Sequence, residues 1–96
     1  MPLDVFQKIE HDFKSDAPTV HERLKELDAQ TKGLISNRLL RSIIYLADGD
    51  FKKLELYIQQ ARKDWRDVLW QAEYDSPDSQ KQSRDFNKTF HDLNLL

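Results

Sequence analysis

The sharpest chemical feature of this 96-residue sequence is a stripe of Arg38, Arg41 and Tyr45. Positions i, i+3 and i+7 share one face of a helix. Two guanidinium forks beside a phenol can hold a phosphate or a carboxylate bidentately. Lys52 and Lys53 follow a short turn later. Arginine with aromatic stacking is also how single-stranded nucleic acid is held. Against a nucleic-acid reading, the chain has net charge −2 and a pI near 5.9, and such binders usually show a strongly basic balance. The plainer alternative pairs Arg38 and Arg41 with acids of the N-terminal helices, such as Glu22, Glu26 or Asp28.

Other chemistry is less well supplied. Each of the three histidines precedes an acid, at His11-Asp12, His21-Glu22 and His91-Asp92. Imidazole and carboxylate together suit Mn, Fe or Zn, but neighbours on a helix lie 100° apart and no His-x-x-x-His or Glu-x-x-His is present to complete a site. The histidines are read as surface residues. With no cysteine, thiolate zinc sites, iron–sulfur clusters and disulfides are excluded. Neither glycine sits in a phosphate-cradling loop, and no Gly-x-Ser-x-Gly occurs. Asp48, Asp50, Asp64 and Asp67 are better explained as two pairs of helix caps than as one acid site. No catalytic residue, metal or cofactor is expected, and the chain is not read as an enzyme.

Trp70 and Tyr74 share a helix face roughly opposite Trp65, Val68, Leu69 and Ala72. Tryptophan and tyrosine are enriched in interface hot spots, so a protein partner or a second copy could cover them. The alternative is that the C-terminal segment folds back, with Phe86, Phe90 and Leu93 meeting Trp70. Trp65 itself continues the phase of Ile58 and Ala61 and is expected in the core.

Helices must position these residues, because two glycines and three prolines are too few for the turns of an all-β domain. Phe6, Ile9 and Phe13, flanked by Val5, predict a first helix over about 4–14. A second starts near Pro18, with Thr19 and Glu22 at capping-box spacing and Val20, Leu24 and Leu27 as its apolar stripe. A third, over about 34–47, is apolar over half its circumference and is read as central, with Asn37, Arg38, Arg41, Ser42 and Tyr45 on the other arc. Asp48-Gly49-Asp50 then makes a tight turn into a fourth helix over about 51–62, giving an antiparallel hairpin. Asp64 reads as the N-cap of a fifth helix, which stops before Ser76-Pro77. The segment after Pro77 is either a docking helix or partly frayed. The expected fold is all-α, one domain over 1–96, a compact bundle of five or six short helices around the 34–62 hairpin.

Within this frame, Arg38 to Asp50, followed by Lys53-Leu54-Glu55, Asp64-Trp65-Arg66-Asp67-Val68-Leu69 and Ala72-Glu73-Tyr74, resembles short bacterial proteins of unassigned function over about residues 37–75. That resemblance implies no activity and no site residues. Charge is uneven: net −3 over residues 1–31, +4 over 32–66 and −3 over 67–96, so the middle could steer an anionic partner. The longest apolar run, Ile43 to Ala47, is far short of a membrane span, and Met1-Pro2-Leu3-Asp4 lacks a secretory pattern. The expectation is a soluble cytoplasmic helical domain that works through protein contact, self-association included. A binder of an anionic ligand or nucleic acid on the central helices is the alternative.

Overall fold

A computed structural model describes residues 1–33, 35–76, 78 and 80–96. Among them are four α-helices, α1 (Leu3–Phe13), α2 (Ala17–Gln30), α3 (Asn37–Ala47) and α4 (Phe51–Glu73), with a 3-10 turn at Lys14–Asp16. The fold is all-α, with four helices where five or six were expected. The expected helix start at Leu34 and stop at Pro77 fall outside the described residues.

Each boundary has a local cause. Because the 3-10 turn runs straight into α2, Asp16 is already near-helical (φ −84°, ψ −6°). That leaves no cap position at Thr19, and the capping box expected with Glu22 does not form. Ser36 caps α3, its Oγ accepting from the Leu39 amide at 3.1 Å. Asp48 ends α3 in the left-handed conformation, and Gly49 follows at φ +75°. Asp50 Oδ1 then accepts from the amides of Lys52 and Lys53 to open α4.

Inside α4, Asp64 is not helical (φ −153°, ψ 96°), and its Oδ1 accepts from the Arg66 amide at 3.1 Å. The side chain that starts the second arm therefore sits at the break. On a straight helix Gln60 and Gln71 would lie about 16 Å apart along the axis. Instead Gln71 Nε2 donates to Gln60 Oε1 at 3.3 Å, so the second arm folds back. It brings Glu73, at the end of α4, beside Arg38 at the start of α3.

α3 is enclosed on nearly every side. Leu39, Leu40, Ile43, Ile44 and Ala47 are buried, and so are Arg41 and Ser42, which the sequence places on the arc opposite the apolar one. Around it pack Val5, Ile9 and Phe13 of α1, Val20, Leu24 and Leu27 of α2, and Leu54, Ile58, Val68 and Ala72 of α4. Phe6 departs from expectation: Val5 takes the core position, and Phe6 is 47% exposed, stacked on His21 at 4.6 Å.

Residues 80–96 form turns rather than a helix, yet Phe86 and Phe90 are fully buried. Phe86 packs on Tyr45 with ring centroids 5.2 Å apart. Lys8 Nζ donates to the Leu95 carbonyl at 2.8 Å, fastening the end of this segment to α1.

Candidate interaction surface

The arginine stripe faces inward. Arg38 donates through Nε and Nη2 to the two Glu73 oxygens, at 3.0 and 2.5 Å. Arg41 grips Asp4 in the same two-pronged way at 2.9 and 3.0 Å, and its Nη1 donates to the Phe86 carbonyl at 3.1 Å. Tyr45 is half-buried between the Phe86 ring and the Arg84 guanidinium, which lies 4.7 Å over it. The partners are Asp4 and Glu73, not Glu22, Glu26 or Asp28, because those three sit on the exposed side of α2. Of the anion-binding candidates, Lys52 and Lys53 stay exposed.

The two buried carboxylates do more than neutralise arginines. Glu73 Oε2 accepts from the Phe86 amide at 2.9 Å, and Asp4 Oδ2 from the Phe90 amide at 3.0 Å. A helix over 86–90 would bond the Phe90 amide to the Phe86 carbonyl. Here the amide goes to Asp4 and the carbonyl to Arg41, so one ion pair replaces that helical bond. Burial alone pushes the Asp4 carboxyl up, but Arg41 and the Phe90 amide together hold it below the usual range. The hydrogen bond to Glu73 raises Arg38 above its ordinary value.

Sequence reasoning missed Asp4 and Glu73. Glu73 carried a signal, since it lies four residues after Leu69 and one after Ala72, within the buried phase of α4. An acid in that phase needs a cation, and Arg38 and Arg41 are the cations on the central helix. Asp4 had no such signal, because acids in a first helical turn are ordinary.

The histidines are dispersed: His11 meets Asp12, His21 meets Glu10 and His91 meets Gln7. Among the described residues no group of three His, Cys, Asp or Glu side chains could hold a metal ion. Asp50 and Asp64 act as caps, and Asp67 accepts from Gln71 at 2.9 Å.

Trp70 is 46% exposed and lines a shallow depression with Leu46, Asp67 and Tyr74. The C-terminal segment does fold back, but Phe86 lodges against Tyr45 and Phe90 against Phe86, and Trp70 stays half-exposed. Trp65 corrects the core expectation: it is 50% exposed, because the break at Asp64 interrupts the phase that would carry it from Ala61 to Val68. It stands instead at the mouth of a cleft of about 680 Å³ that Leu27, Ile35 and Leu39 also line. No helix among the described residues is long and apolar enough to cross a membrane. Compared with protein-family models, curated proteins and solved structures, the chain finds no match.

Proposed function

We propose that this chain is a small cytoplasmic helical domain with no chemistry of its own, which works by binding another protein or a second copy of itself through Trp70 and Tyr74. The observation that carries this reading is the half-exposed Trp70 indole beside Leu46 and Tyr74. A large aromatic left open in a chain that buries Phe86 and Phe90 completely is suited to an interface anchor. The pairing of Arg38 and Arg41 with Glu73 and Asp4 supports the same choice, since it occupies both guanidinium forks of the stripe on which the anion or nucleic-acid alternative was built.

Trp70→Ala tests it. The melting temperature of the isolated monomer should stay nearly unchanged, while self-association or partner affinity weakens by about 2 kcal/mol or more. Sedimentation equilibrium and a thermal melt on the same variant read both quantities. A stability loss of about 3–5 kcal/mol, as for a buried large aromatic, with association unaltered would remove this reading.

A further inference from the structure

At one end of the bundle α2 finishes, α3 begins and α4 breaks. Leu27, Ile35, Leu39 and Ala61 form the apolar floor of the 680 Å³ cleft there, and Trp65 forms a wall. That volume falls within the roughly 300–1,000 Å³ of pockets that enclose small organic ligands. Among the described residues Arg62 is the one charged side chain lining the cleft, and no carboxylate lines it. Arg23, Arg38, Arg41 and Arg84 each pair with an acid, whereas Arg62 makes no ion pair among the described residues. The other polar groups on the rim are partly spent: Thr31 Oγ1 donates to the Leu27 carbonyl and Ser36 Oγ caps α3. Ser36 also sets the positive end of the α3 dipole at this rim.

We propose that this cleft binds an apolar small molecule carrying a single carboxylate. Its hydrocarbon part lies on Leu27, Ile35, Leu39 and Ala61 against the Trp65 indole, and its carboxylate meets the Arg62 fork. A planar guanidinium matches the two oxygens of a carboxylate. Arg62 on the lining and the Arg66 guanidinium 5.5 Å from the Trp65 ring set positive charge at the edge of an apolar floor, which favours an anionic group on a greasy body over a polyanion such as nucleic acid. This site is separate from the Trp70 depression, so the two proposals stand or fall independently.

The test uses Trp65 emission in the full chain carrying Trp70→Phe, which leaves one indole. Decanoate, decanol and decyltrimethylammonium are titrated below their aggregation thresholds. Decanoate should give a saturable change, decanol about tenfold weaker binding, and the ammonium no saturable binding. Adding Arg62→Gln should weaken decanoate about tenfold and leave decanol unaltered, with far-UV circular dichroism verifying the fold. Absence of saturable decanoate binding, equal binding of the three probes, or indifference to Arg62→Gln would each overturn the proposal. Saturation by all three would instead mark an unselective apolar surface of the kind a protein partner covers.

Discussion

The Asp4–Arg41 pair is where a single side chain matters most. Both partners are buried, at 5% and 6% exposure, and Asp4 also holds the Phe90 amide. Asp4→Asn keeps the shape but leaves a guanidinium buried without its counter-charge, which typically costs about 3–5 kcal/mol. Urea melts near neutral pH measure that loss. The same carboxyl gives a pH dependence with a definite sign. Its folded value lies below the ordinary one, and an unfolded aspartate titrates near about 3.9. Its stabilisation is therefore complete above that value and is lost as acid protonates the folded state. The gap between wild type and Asp4→Asn should narrow below about pH 4 and stay constant above about pH 5. A gap that persists unchanged into strong acid would place the loss in shape rather than charge. That Arg38 and Arg41 pair with acids, Arg41 with one of an N-terminal helix, was legible in the sequence as the plainer alternative, and which acids they take was not. Asp4 lies 37 positions from Arg41, and nothing local in the chain ties such residues together.

Among the elements, the turn between α3 and α4 was legible, because Asp-Gly-Asp after an apolar run carries its own turn chemistry. Both glycines have positive φ, +74° at Gly33 and +75° at Gly49, but their surroundings differ. A Cβ at Gly33 meets nothing within 4 Å, whereas one at Gly49 comes within 2.8 Å of the Asp12 backbone carbonyl. Gly33→Ala should cost about 1 kcal/mol from conformation alone. Gly49→Ala should cost clearly more, because α1 must also move aside. Paired urea melts decide the order, and equal losses would show that α1 gives way freely. Periodicity was weaker at α1, where Val5 and Phe6 both fit the Ile9–Phe13 stripe and only the neighbouring helices select Val5. It failed at Trp65 because phase arguments assume an unbroken helix. The aspartate that caps the second arm of α4 is the residue that resets the phase.

At the scale of the whole molecule, the C-terminal segment completes the core without regular structure. Phe86 and Phe90 show helical spacing in the sequence, but their backbone groups are claimed by Asp4, Arg41 and Glu73 from three directions. Local pattern left these rings either docked or frayed. It could not show that the chain around them turns. Phe86→Ala should cost about 3–5 kcal/mol in a urea melt, in line with buried aromatics rather than with a loose tail. A loss below about 1 kcal/mol would mean that the segment contributes little to the folded state. The Asp4 carboxylate and the Phe90 amide it holds are 86 positions apart. At synthesis rates of about 5–20 residues per second, roughly 4–17 seconds separate their appearance. Once Arg41 has been made, 37 positions after Asp4, the two can hold each other while the flank of α3 bearing Tyr45 still lacks its cover. Every newly made molecule thus passes once through a form with an open aromatic groove, and a nascent chain halted before Phe86 would keep it open to any chaperone that binds apolar surface.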